Sequence, residues 1–463
     1  MARKLPVLSD EGITGEGSLG RDGRRRAPYP ADVTGRFVWA RRIVFAVLLA
    51  LWAALPWIHI GGHPAVFLDI ERRQFFLFGA TANAQDTWFL FFCLTGMGFL
   101  LIVATALLGR VWCGWACPQT VFLEALFRPI ERLINGPRNV ALKRKQQGGV
   151  DRLWRTIVTQ VVYFIVAFIV AHGFLVYFVS VPRLFAMMRG SPGAHPEAFA
   201  WAAVMTVLLY GNFAFFREQL CVVICPYGRL QSVLIDDDSL VVGYDERRGE
   251  PRARGKKRTA DVGDCVDCLR CVVVCPTAID IREGLQLDCI ACTACIDACD
   301  EVMDRLGLPR GLVRYDSLRG LRGEKRRIIR PRLFIYSALV TIWVVGATFA
   351  FRARTSFEAT IIRFPGLPYT LYDDNLQNRF RLRMFNKAGN RQSYVIDPPT
   401  STGLTFDIPI TNIELDSLAG LDIPVTVSIN DKAFSGDKPF LLHVTASDGQ
   451  EKHVSATFVG PKR

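Results

Sequence analysis

Residues 265–300 read CVDCLRCVVVCPTAIDIREGLQLDCIACTACIDACD. The stretch contains Cys265-x2-Cys268-x2-Cys271-x3-Cys275-Pro276 and repeats that spacing as Cys289-x2-Cys292-x2-Cys295-x3-Cys299. Two such runs are the signature of a bacterial two-cluster ferredoxin. Three closely spaced thiolates wrap one cubane, and the fourth reaches the neighbouring one. The spacing therefore assigns Cys265, Cys268, Cys271 and Cys299 to a first [4Fe–4S] cluster, and Cys289, Cys292, Cys295 and Cys275 to a second. Zinc is the competing reading, but zinc sites pair their cysteines in twos rather than in runs of four. Asp300 stands where a second Cys-Pro would end, and this departure touches no ligand. A small α+β ferredoxin-like insert is the expected fold here.

Outward from this stretch the chain is apolar and basic. Its 463 residues are 50% hydrophobic and 21% charged, with a mean hydropathy of +0.22. That excludes a disordered chain and argues against an ordinary soluble enzyme. Thirteen cysteines are too few for a disulfide scaffold of this length and too clustered for independent core positions. The net charge of +13 suits either nucleic-acid binding or a membrane protein with a cationic cytoplasmic face. The placement of the charges decides between them.

Four runs, 88–108, 161–181, 198–216 and 333–351, carry no Asp, Glu, Lys or Arg. Their lengths match the roughly 20 residues a helix needs to cross a bilayer. A fifth run, 43–60, is shorter and holds Pro56 and His59; residues 37–40 extend it, and Arg41 and Arg42 are expected to snorkel. Its distance from the start and its shortage of small residues argue against a cleavable signal. Lys plus Arg number nine up to residue 42, two in 59–87, nine in 109–156, two in 181–197 and 21 in 217–332. This alternation puts the N-terminus and the cysteine-rich insert in the cytoplasm and the C-terminal region in the periplasm. The charge thus reports topology in an inner membrane, with the lipid bilayer as partner and no nucleic acid.

The expected organisation is a five-span α-helical membrane protein with two soluble parts. A basic tail covers 1–36, and a transmembrane region with four spans covers 37–245. The ferredoxin-type domain with its basic linkers covers 246–332, and the fifth helix covers 333–352. After that, cysteine disappears and short β-type runs alternate with turns, at 380–385, 393–396, 404–408, 425–429, 441–445 and 453–458. Asp448-Gly449 between the last two is a hairpin signal. Residues 353–463 therefore read as an all-β, immunoglobulin-like sandwich, an interaction or structural module rather than a catalytic one.

Two further pairs, Cys113-x3-Cys117-Pro118 and Cys221-x3-Cys225-Pro226, follow the second and fourth spans like an internal repeat. On a helix, residues i and i+4 share a face, so each pair is expected to offer two sulfurs to one ion, and each Pro to start a following helix. Three readings stand: packed cysteines carried by duplication, a third metal centre, or a soft-metal or dithiol site, since thiolates select Cu(I). Cys93 is read as packed. His59, His63, His172 and His195 fall on the predicted outer side, where a metal or haem site competes with scattered interfacial histidines. His172 leads because a polar residue within a span is a functional candidate. His443 and His453 receive no role.

The stretches GRVWCGWACPQTVFLE (109–124), CVVICPYGRLQSVL (221–234), YDERRGEPR (244–252) and LPRGLVRYDS (308–317), with the cysteine-rich stretch above, resemble the FixG/CcoG family of cytochrome oxidase accessory proteins. So does the loop with Asp69, Arg73, Phe75 and Phe78-Gly79. The resemblance runs from about residue 35 through nearly the whole chain. It implies a role in assembling a cbb3-type oxidase by reducing Cu(II) to Cu(I), with partners among oxidase subunits or copper carriers and transporters. It also implies two [4Fe–4S] clusters, a C-terminal immunoglobulin-like domain, and Cys113, Cys117, Cys221 and Cys225 as copper or electron-transfer cysteines. A quinol-linked ferredoxin subunit and a redox-sensing assembly scaffold are the rival readings. The sequence names no electron donor and leaves self-association open.

Overall fold

The computed structural model describes residues 29–83, 86–252, 261–399 and 403–461. Most of the basic tail and part of the basic linker at 253–260 lie outside the described residues. The chain divides into two units, one of Met1–Leu68 with Phe91–Trp343 and one of Asp69–Leu90 with Val344–Arg463.

Five helices are long and apolar enough to cross a membrane: Arg36–Ala54, Trp88–Leu108, Gly149–Val179, Pro196–Phe216 and Pro331–Arg352. Their outward apolar side chains are open, as lipid-facing surfaces are; Phe349 is 76% exposed. Small residues let partners approach. A Cβ at Gly96 would run into the Trp343 ring, and one at Gly173 into Trp52.

The first helix lies upstream of the expected 43–60. It ends at Ala54, because Pro56 has no N–H for a continuing ladder, and His59–Ile60 pairs instead with His63–Pro64. Its start is fixed by the carboxylate of Asp297, which accepts from the backbone N–H groups of Phe37 at 3.3 Å and Val38 at 2.8 Å. Free amides and the helix dipole at an N-terminus favour an anion there. Arg41 does not snorkel. It is 7% exposed, and its Nε donates to the carbonyl of Gly114 at 3.0 Å. The third helix starts well before 161, at Gly149, because Asp151, Arg152 and Arg155 extend it beyond the apolar run; it ends at Val179, where Ser180 takes φ 69°.

Between the fourth and fifth long helices, strands Val241–Tyr244 and Val313–Asp316 pair antiparallel. Helices Arg270–Val273 and Ala294–Leu306 pack with them around Ile296, Met303 and Leu312.

In the C-terminal part of the second unit, residues 357–458, antiparallel strands form two sheets. One has the order Thr405–Asp407, Gly420–Asn430, Asn375–Asn386, Phe357–Arg363, with Thr370–Tyr372 paired to Asn375–Asn386. The other has the order Asn412–Leu415, Gln392–Asp397, Lys438–Ala446, Glu451–Phe458. Alternate residues point inward, as period-two strands require. Leu376, Phe380, Leu382 and Met384 of one sheet meet Tyr394, Ile396, Phe440 and Leu442 of the other in a single core. The hairpin at Asp448-Gly449 is present, with Thr445 opposite Glu451 and Gly449 at φ 82°. Strands Phe357–Arg363, Thr370–Tyr372 and Asn412–Leu415 escape the sequence reading.

Candidate functional site

The two cysteine runs repeat one backbone shape. In the first run Asp267 and Leu269 flank Cys268 with φ 52° and 56°. In the second, Ala291 and Thr293 flank Cys292 with φ 52° and 62°. None of these is glycine, so each left-handed residue costs about 1–2 kcal/mol. Alternation of this kind turns successive N–H groups toward a common centre, the geometry in which backbone dipoles receive an anionic group.

Each run encloses a cavity. One is lined by Cys265, Cys268, Cys271 and Cys299, together with Tyr244 and Arg282. The other is lined by Cys275, Cys289, Cys292 and Cys295, with Cys271 also on its wall. The crossed sets expected from the spacing thus gather around separate spaces, and the donors are the soft thiolates that iron–sulfur clusters take. Burial pushes the thiol of Cys292 up to about 11 and those of Cys289 and Cys299 up to about 12. Bare thiolates are costly in such a place; an iron cluster supplies the compensating cations, so the residues fit the group.

The two Cys-x3-Cys-Pro motifs share a different local form. Cys117 and Cys225 are each the N-cap of the next helix, Pro118–Phe122 and Pro226–Leu234, with extended φ/ψ of −61°/126° and −66°/113°. Each Pro starts a helix, as expected. The pairs do not lie on one helical face, however. A residue before proline is pushed out of the helical region, so Cys117 and Cys225 leave the segments that carry Cys113, in Val111–Trp115, and Cys221, in Leu220–Ile224.

All four sulfurs nevertheless converge. Every pairing among Cys113, Cys117, Cys221 and Cys225 is close enough for mutual electrostatic interaction. Burial first, and then this mutual repulsion, raises Cys221 to about 12; burial raises Cys113 to about 11, and its thiol donates to Gln231 Oε1 at 3.3 Å. Ties across the repeat hold the two halves together. Gln119 and Asn212 exchange side-chain hydrogen bonds at 2.6 and 3.2 Å, and Arg217 and Arg128 pair with Glu131 and Glu218.

This group abuts the second cavity. Cys113 and Cys221 pack against the buried cluster of Val274, Ile290, Cys292, Ala294 and Ala298. A Cβ on Gly114 would come within 2.5 Å of the Ala291 carbonyl oxygen and 2.7 Å of that of Ile290. Tyr315 donates to the Ala291 carbonyl at 3.0 Å and accepts from Trp115 at 3.0 Å. Sequence reasoning missed Arg110, Gly114, Trp115, Gln231, Tyr244, Arg282 and Tyr315. Only their closeness to cysteine motifs hinted at them.

Among the described residues no three His, Cys, Asp or Glu side chains are gathered tightly enough for a single metal ion. His59 pairs its Nδ1 with the Trp57 carbonyl at 3.0 Å, and His172 does so with Phe168 at 2.8 Å. His63 lies in a two-residue strand opposite Ile60, and His195 precedes the helix Pro196–Gly211. Cys93 is exposed.

Residues 216–318 match the family described as a 4Fe-4S dicluster domain, residues 347–461 the IG-like fold at the C-terminal of FixG, and residues 89–137 a 4Fe-4S binding domain. The chain is 35% identical over 446 residues to Protein RdxA of Cereibacter sphaeroides, covering 92% of this chain and 91% of that one. It is 33% identical over 407 residues to the nitrogen fixation protein FixG of Rhizobium meliloti, covering 78% and 77%. The crystal structure of a FixG-related protein from Vibrio parahaemolyticus overlaps 24% of this chain and 100% of that chain, at 18% identity and a TM-score of 0.21.

Proposed function

The chain belongs to the FixG family, and on that premise we propose that it reduces Cu(II) to Cu(I) at the membrane for assembly of a cbb3-type oxidase. The observation that carries the reading is the grouping of Cys113, Cys117, Cys221 and Cys225, two of which, Cys113 and Cys221, pack on the buried cluster that holds Cys292. Cys265, Cys268, Cys271 and Cys299 would hold one [4Fe–4S] cluster, and Cys275, Cys289, Cys292 and Cys295 the other. When bound, these clusters supply one-electron carriers. The paired cysteines offer soft sulfur ligands that retain the cuprous product, and Gly114 keeps their backbone against the cluster loop. The distribution of Lys and Arg supports a cytoplasmic insert and a periplasmic sandwich. Handover to an oxidase subunit or copper carrier completes the role.

A second reading has its own support. The match described as a 4Fe-4S binding domain spans residues 89–137, including Cys113 and Cys117, and four thiolates are the ligand count of one [4Fe–4S] cluster. They would then hold a third cluster.

Iron and acid-labile sulfide per chain, with EPR before and after Cu(II) addition to the anaerobic reduced protein, tests both. About eight irons for two cubanes, with the Cu(II) signal lost in the wild type and retained in Cys113→Ala/Cys221→Ala, is expected. About twelve irons would establish the third cluster instead. Eight irons with an unchanged Cu(II) signal would overturn the reductase.

A further inference from the structure

A cavity of about 720 Å³ lies beside the first long helix, within the roughly 300–1,000 Å³ usual for small-molecule sites. Three chemically different walls meet there. Phe45 and Leu49 make an apolar side on the helix Arg36–Ala54. From Arg41 to Leu49 this wall runs about 12 Å into the span at 1.5 Å per residue. Arg41 and Glu124 make a polar side, and Cys292 and Pro276 close the end against the second cluster cavity.

Arg41 gives an independent sign of a ligand. It is 7% exposed, and its Nη2 is buried with no hydrogen-bond partner. An orphaned guanidinium nitrogen in a buried site is costly, and Arg41 borders a space that Phe45, Leu49 and the cluster cysteine Cys292 also line.

We propose that this cavity binds an isoprenoid quinol, the donor whose electrons enter the chain beside Cys292. The inference rests on the cluster assignment given above and names the donor for it. The apolar wall suits a tail that arrives through the bilayer. The Arg41 guanidinium suits a ring oxygen. Glu124, held ionised by Arg128 at 3.1 Å, suits a hydroxyl. Oxidation of one quinol breaks two O–H bonds and yields the quinone, two protons and two electrons. One electron goes to each of the two [4Fe–4S] clusters, and the protons leave through Glu124 and the rim residue Asp32.

The test uses the full chain with its clusters, in phosphatidylcholine nanodiscs. A photoreactive short-chain azidoquinone is expected to label residues 38–49 or 124–132, with decylubiquinol competing. Label elsewhere, or equal competition by phosphatidylglycerol, overturns the proposal, the latter in favour of a lipid site. Reoxidation of dithionite-reduced clusters by decylubiquinone should fall about tenfold or more in Ala46→Trp, which overpacks the cavity. Reoxidation by ferricyanide should not change. Leu49→Trp serves if Ala46→Trp loses its iron, and wild-type rates in the iron-replete variant also overturn it. If the quinone does not label while dithionite-reduced protein still reduces Cu(II), the donor is wrong and the reductase reading stands.

Discussion

Arg110 donates from Nη1 to the backbone carbonyl of Cys289 at 3.4 Å, while its Nη2 donates to Gly228 at 2.7 Å. One buried guanidinium thus joins the cysteine-rich loop to the helix that follows Cys225. It also lowers the energy of negative charge at Cys289, Cys113 and Cys221. Reduction adds a negative charge to a cluster, and nearby positive charge and hydrogen bonds raise a cluster's potential. Arg110→Leu should therefore lower the potential of the second cluster while the iron content stays at that of the wild type. An EPR redox titration measures this; an unmoved potential would remove Arg110 from the electron path.

Gly114 brings the first Cys-x3-Cys motif against the backbone of the second cluster loop. A methyl group there meets the carbonyl oxygens of Ile290 and Ala291 at 2.7 and 2.5 Å, and two backbone oxygens cannot swing aside as a flexible side chain can. Overpacking of this kind costs about 1–3 kcal/mol and shifts backbone. Gly114→Ala should keep its iron and lose most Cu(II) reduction, whereas Gly98→Ala, which meets nothing within 4 Å, should do neither. Stopped-flow loss of the Cu(II) signal in the two variants makes the comparison.

The sequence carries the cluster chemistry because cysteine spacing is local. Three of the cysteines lining each cavity lie within seven consecutive residues, and the chain itself brings them together. The crossed fourth cysteines, Cys275 and Cys299, come from the opposite runs; the repeated motif rather than local closeness makes them legible. The five long helices are legible for a similar reason, since hydropathy is a property of a run. The convergence of Cys113 with Cys221 is not local. It depends on Gln119 meeting Asn212 and on Arg128 meeting Glu218, contacts between polar residues that no periodicity marks. Arg41 is misread for a related reason: beside an apolar run an arginine looks like a snorkelling residue, and only the tertiary fold supplies the Gly114 carbonyl. In the sandwich, Thr370–Tyr372 is three exposed residues without alternation, so its pairing with Asn375–Asn386 leaves no pattern to read.

Asp297 caps the first long helix from the helix that carries Cys295 and Cys299. Gly35 allows this, since a Cβ there would collide with the Asp297 carboxylate. Losing an N-capping acceptor costs about 1 kcal/mol. Asp297→Ala should leave cluster content intact and speed proteolytic cleavage near residue 36, and Asp297→Asn should restore most of the protection. Gly35→Val should be worse than Asp297→Ala, because it expels the carboxylate and leaves it buried without its partners. Cleavage rates in the folded, iron-replete chain rank the three variants.

Glu358 sets a pH limit on the sandwich. Burial alone would raise its pKa, but hydrogen bonds and charge from Lys452 and Lys387, the latter at 3.0 Å, outweigh burial and hold the carboxyl below its ordinary value. A carboxylate whose folded pKa is depressed contributes its stability in full above the unfolded value of about 4.3 and loses it as pH falls through the folded value. The sandwich should therefore weaken progressively below about pH 4.3. Glu358→Gln should be less stable by about 1–2 kcal/mol at neutral pH, the worth of a hydrogen bond to a charged group, and should have a flatter pH dependence in the acid range. The second unit has no tryptophan beyond Trp88, so fluorescence reports poorly on it. Protease resistance of a C-terminally tagged full chain, followed against urea at pH 7 and at pH 4, measures the difference. Equal losses in the variant and the wild type on acidification would assign the pH dependence to other carboxylates.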